Sequence, residues 1–63
     1  MNTQFSVSDR FGNIKTVTAD SFENAAILSG LSGPLRVIDV HRNKEARFSV
    51  HENTAVLIGY SKE

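Results

Sequence analysis

No cysteine occurs in this chain. That removes disulfides, thiolate metal sites and a thiol nucleophile from consideration. Tryptophan is absent as well, and proline occurs once, at Pro34. Neither sign of charge predominates, because seven Lys and Arg balance seven Asp and Glu. A strongly basic nucleic-acid binder would carry a surplus of Lys and Arg, and an acidic mimic of nucleic acid the reverse. Long apolar runs are missing too. Nothing approaches the ~20 residues that span a bilayer as a helix, so no membrane partner is expected. Met1 to Ser6 show neither the basic nor the apolar segment of a secretory signal. Together with the lack of cysteine, this sets the expectation of a cytoplasmic protein.

What is present is a short chain rich in strand-forming residues. At 63 residues, a domain buries only about 60% of the surface its unfolded form exposes. Small domains without disulfides or metals gain stability from idealised packing or from association. Two runs sharpen that point. Leu35-Arg36-Val37-Ile38-Asp39-Val40 and Thr54-Ala55-Val56-Leu57-Ile58-Gly59-Tyr60 are nearly continuous in β-branched and aliphatic residues. A sheet covered on one face needs apolar residues only at alternate positions. The surplus implies cover on the second face, for which a partner chain is the candidate.

Phe5-Ser6-Val7-Ser8 alternates as a half-buried strand, and Gly12-Asn13 supplies a turn. Ile14 to Ala19 reads as the second strand of a hairpin, with Phe5, Val7, Val17 and Ala19 on the inner face. Asp20-Ser21-Phe22-Glu23 has the form of a capping box, with Asp20 as cap, Glu23 reaching back, and Ser21 as the competing cap. The helix is expected from about Ser21 to Ser29, ended by Gly30, with Leu31 packing back on the last turn. Phe22, Ala25, Ala26 and Ser29 form its buried stripe, with Leu28 at the edge. Strand three is expected from Leu35 to His41, a turn over Arg42-Asn43-Lys44-Glu45, strand four from Ala46 to His51, and strand five from Thr54 to Tyr60. Ser61-Lys62-Glu63 is expected to fray. The fold class is α+β: a single small domain, β-β-α-β-β-β, an antiparallel sheet with one helix packed on one face.

A regular hairpin around residues 42–45 sets His41 opposite Ala46, Asp39 opposite Phe48, and Val37 opposite Val50. Phe48 and Val50 mark that face as the core. Asp39 is anomalous there, and is expected at the rim or accepting a backbone hydrogen bond. The other face then pairs Arg36 with His51, Ile38 with Ser49, and Val40 with Arg47. Strand five adds either Val56, Ile58 and Tyr60 or Ala55 and Leu57. The resulting candidate partner-binding surface is an apolar strip around Ile38 and Val40, flanked by Arg36, Arg47 and His51 and extended by Arg42 and Lys44 at the hairpin tip. The competing reading is that strands three and five are simply central strands of high β-propensity.

Catalytic and metal chemistry find little support. On the expected register, His41 and His51 stand about five residues apart along the ladder, about 17 Å at strand rise. They do not converge on one ion, and no metal or other cofactor is expected. The serines lie in no G-x-S-x-G elbow, and no phosphate-binding loop occurs. The carboxylates are scattered along the chain, and Asp20 and Glu23 are accounted for by the helix cap. The chain is therefore not expected to be an enzyme. Nucleic-acid binding is the rival class, since Arg36, Arg42, Lys44 and Arg47 cluster with Phe48 and His51 nearby. Against it, the aromatics fall at inward positions, and Asp39 and Glu45 dilute the charge.

One resemblance adds to this reading. Val17-Thr18-Ala19-Asp20-Ser21 closes a short hairpin, Phe22-Glu23-Asn24-Ala25-Ala26 opens a helix, and a strand resumes at Leu35-Arg36-Val37-Ile38. This layout, over about half the chain, resembles that of small phage proteins, in particular the small type I-F anti-CRISPR proteins. It rests on the Ala-x-Ser-x-x-x-Ala junction at Ala19, Ser21 and Ala25 and transfers no functional residue. The resemblance implies a small inhibitor that binds a host complex such as a CRISPR surveillance complex, in the host cytoplasm. The remaining expectations are a nucleic-acid-binding accessory protein using the basic hairpin, and a homodimer with sheet packed on sheet.

Overall fold

Alternation of apolar and polar residues lets each strand bury one side and wet the other, and five such strands form one sheet. The structure, a computed structural model, describes residues 2–60. The strands are β1 (Thr3–Asp9), β2 (Ile14–Ala19), β3 (Gly33–Asp39), β4 (Lys44–His51) and β5 (Thr54–Tyr60), with helix α1 (Phe22–Leu28) between β2 and β3. Every pairing is antiparallel, in the order β2-β1-β3-β4-β5. The expected frayed end at residues 61–63 lies outside the described residues. No helix among the described residues is long and apolar enough to cross a membrane.

The sheet order follows from the connection through α1. The chain leaves β2, passes over β1 as the helix, and returns beside β1 as β3. Phe5 and Val7 of β1, Leu35 and Val37 of β3, and Ala46, Phe48 and Val50 of β4 face the helix and are buried. Ala25 and Ala26 are fully buried, and such small side chains allow a seven-residue helix to sit close to the strands. Phe22 meets Phe5 edge-on, with ring centroids 5.1 Å apart.

Ser21, not Asp20, is the N-cap. Its Oγ accepts from the Asn24 N–H at 3.1 Å, while the Asp20 carboxylate takes the Asn24 side-chain amide instead. A serine with extended backbone places its hydroxyl over the first turn, leaving Asp20 one residue too early. At the far end Gly30 adopts φ +76°, and its N–H donates to Ile27 O. Leu31 packs against the core. Ser29 is buried because its hydroxyl donates to Ala26 O at 2.7 Å and accepts from the Leu31 N–H.

The hairpin between β3 and β4 differs from expectation. The turn occupies residues 40–43, so Asp39 faces Lys44, Val37 faces Ala46 and Leu35 faces Phe48. The Asp39 carboxylate causes this. It accepts from the backbone N–H groups of His41 and Arg42, and Asp39 O accepts from Asn43 at 2.8 Å. Asn43 takes up the left-handed backbone, φ 56°, that closes the turn. Each β3 residue therefore meets a β4 partner four positions earlier than the expected one. The shift is even, so the faces survive while the partners change. Asp39 accordingly lies buried on the helix side with its backbone hydrogen bonds made.

The last hairpin is tighter. His51 faces Thr54 across a two-residue turn, Glu52 and Asn53, both at positive φ. That is the primed geometry suited to the twist of paired strands.

Candidate binding surface

With α1 on one side, the other side of the sheet is open. Register fixes what stands there. One row crosses the sheet as Ile14, Ser8, Arg36 and Arg47, reaching β5 at Gly59. The next reads Thr16, Ser6, Ile38 and Glu45, and a third Pro34, Ser49 and Val56. The choice left open for β5 resolves through a bulge between Phe48 and Arg47, where β5 carries one residue more than β4. Leu57 faces Phe48 and Ala55 faces Val50 on the helix side, whereas Val56 and Ile58 belong to the open face. Of Tyr60 only the backbone pairing with Ala46 is described.

Arg36 and Arg47 are direct cross-strand partners. Like charges so placed destabilise a sheet unless something intervenes. Glu45, one row away, does so. Its Oε2 lies 2.6 Å from Arg36 Nε and 3.8 Å from Arg47 Nε. The atom is buried under the arginines without a well-directed hydrogen bond, so the contact is an ion pair rather than a bidentate clamp. One carboxylate therefore serves two guanidinium groups, both more than half exposed.

Beside this pair lies a shallow groove of about 340 Å³, lined by Arg36, Arg47, Ser8, Pro34, Ile58 and Arg10. Arg10 comes from the turn after β1, and its guanidinium stands 5.6 Å from the centre of the Phe11 ring. Asp9 also borders the groove, but its carboxylate is committed to its own turn. It accepts from the N–H groups of Phe11 and Asn13 and from the Asn13 side-chain amide, each at 2.9 Å. Those hydrogen bonds, the Asn13 side chain foremost, hold the Asp9 pKa below its ordinary 3.8 against the opposing cost of desolvation. Three arginines thus border the groove together with the apolar Pro34 and Ile58, and both nearby carboxylates are engaged.

Three of the seven expected binding residues, Arg36, Ile38 and Arg47, come together here. His51 shares the open face but stands at the far end of β4, four residues from Arg47, about 13 Å at strand rise. Val40 and Arg42 are not on the sheet. Both lie in the 40–43 turn, where Val40 N–H donates to Gln4 O and Arg42 Nε is 3.9 Å from Asp39 Oδ2. Lys44 is corrected to the helix-side row by its pairing with Asp39. The expected reading missed Arg10 and Ser8, because only the adjacency of β1 and β3 brings them to Arg36. No family model, curated protein or solved structure matches the chain.

Proposed function

We propose that this chain is a non-catalytic protein-binding domain whose open sheet face receives an acidic segment of its partner. Following the resemblance of its first half to small phage inhibitors, the partner is a host complex that the domain blocks. The observation that carries the reading is the facing pair Arg36 and Arg47, with one carboxylate between them. One carboxylate shared by two guanidinium groups leaves one positive charge uncompensated, and local violations of this kind concentrate at functional sites. A carboxylate arriving in the groove would relieve the surplus charge, and exposed Arg beside an apolar wall is a composition typical of interface anchors. Ile58, Pro34 and half-buried Ile38 supply the apolar component.

Nucleic acid is the second reading, on the same three arginines. Single strands stack on exposed aromatics, and among the described residues Phe11 alone is an exposed one. Phe5 and Phe48 are buried on the helix side, Phe22 packs there on Phe5, and the Phe11 ring carries Arg10.

The test immobilises the domain, exposes it to bacterial host lysate, and titrates the retained protein against wild type and an Arg36→Ala/Arg47→Ala variant. A tenfold or larger loss of affinity, about 1.4 kcal/mol per factor of ten, is expected with the fold intact. Retention unaffected by the double variant would sink the proposal. Salt-dependent binding of a single-stranded oligonucleotide, lost in the same variant, would transfer the surface to the rival reading.

A further inference from the structure

The two edges of the sheet are guarded differently. β2 carries Lys15 on its helix-side face, opposite Val7, and an inward-directed charge on an edge strand discourages addition of another strand. β5 has no such device along Thr54–Leu57. The whole strand, Thr54–Tyr60, contains no Lys, Arg, Asp, Glu or Pro, and it pairs with β4 alone. Val56, Leu57 and Ile58 are 60%, 46% and 60% exposed. The bulge at Ile58 breaks regularity only beyond Leu57.

We infer that β5 is a self-association edge, at which a second copy of this chain adds its own β5 in antiparallel register. A two-fold axis at Val56 sets Val56 against its own copy and Ala55 against Leu57. Ala55 and Leu57 both lie on the helix side, so the two helix-covered layers become continuous, and every facing pair is uncharged. A symmetric interface of this kind closes at two copies. Charge selects this arrangement over stacking of the two open faces, which would bring four guanidinium groups together with two carboxylates. The chain as a whole has no net charge to keep copies apart. Arg36 on β3 and Arg47 on β4 lie outside the dimer seam, and of the residues that line their groove only Ile58 adjoins it, so the inference does not rest on the function proposed above.

The experiment is sedimentation velocity over a concentration series reaching about 1 mM, since an interface this small associates weakly. Wild type is expected to pass from monomer to dimer, with no larger species. Val56→Lys, at an exposed position, should keep the far-UV circular dichroism and melting curve of wild type and remain monomeric throughout. Arg36→Ala/Arg47→Ala should dimerise as wild type does. A wild type that stays monomeric, a dimer that survives Val56→Lys, a dimer lost in the arginine variant, or growth beyond two copies would each overturn the inference.

Discussion

β3 lies in the middle of the sheet with β1 and β4 on either side, whereas β5 closes one edge. Both strands are mainly aliphatic, yet they share little else. Leu35, Val37 and Asp39 alternate cleanly into the core, and the groups between them face the open side. In β5 Ala55 packs against the core, yet Leu57 remains nearly half exposed even though its cross-strand partner Phe48 is buried. Position in the sheet, rather than composition, decides how much of an apolar strand is removed from water. A surplus in the centre is absorbed by neighbours on two sides, and a surplus at the edge stays exposed to solvent.

The sharpest way to break this contrast is one substitution made in both strands. Val37 is 0% exposed and Val56 is 60% exposed. Val37→Asp buries an unpaired charge, a change in the class that costs above about 4 kcal/mol. A domain of this size has roughly 3–9 kcal/mol in total, so Val37→Asp should lose its cooperative urea transition. Val56→Asp should fold and stay within about 0.5 kcal/mol of wild type, as exposed substitutions do. Comparable destabilisation by the two changes would show that β5 is as internal as β3.

Most of the local structure was legible in the sequence, and the assembly of the pieces was not. The bounds of β2 and β5, the Gly30 stop, the Ala25–Ala26 stripe and the inward set of Phe5, Val7, Val17 and Ala19 all follow from periodicity and turn chemistry within a few residues. The order of the strands does not, because β1 meets β3 through a crossover that no local signal encodes. Hence Leu35–Val40 and Thr54–Tyr60 read alike although one is central and one is not, and Arg10 and Ser8 could not be joined to Arg36. The hairpin register failed for a different reason. Asp39 stands out in the sequence as a misfit on the core face, but the turn that it sets by accepting His41 and Arg42 N–H groups comes two residues before the polar run 42–45. Arg36, Ile38 and Arg47 kept their face because the resulting shift was even.

Asp39 also allows the centre and the edge to be compared through their turns. Asp9 ends β1 beside the β2 edge, Asp39 ends β3 in the middle, and each carboxylate receives two backbone N–H groups of the turn that follows it. Asp39 is 3% exposed, so its removal strands donors in a drier setting. Asp39→Ala should cost about 1–3 kcal/mol by chemical denaturation. It should also raise amide exchange at His41 and Arg42, and Asp39→Asn should recover part of both losses, because the amide oxygen still accepts. Unchanged exchange at those amides would remove Asp39 from its role in setting the register.

The edge turn offers the smaller effect and a readable sign. The Asp9 pKa is lowered in the folded protein by hydrogen bonds from Asn13 and Phe11, relative to 3.8 when free of them. A carboxylate depressed on folding contributes stability that is fully present above its unfolded pKa and is lost as pH falls through the folded value. Wild type should therefore exceed Asp9→Asn in stability at pH 7. The gap should hold down to about pH 5 and close as the pH drops below about 4, the ordinary range for Asp. Because Asp9 lies at the surface, the gap should be smaller than that produced by Asp39→Ala. Denaturation midpoints of both proteins over a pH series measure it. A gap that widens on acidification would reverse the assigned sign, and with it the view that the turn beside β2 is held by an ionised carboxylate.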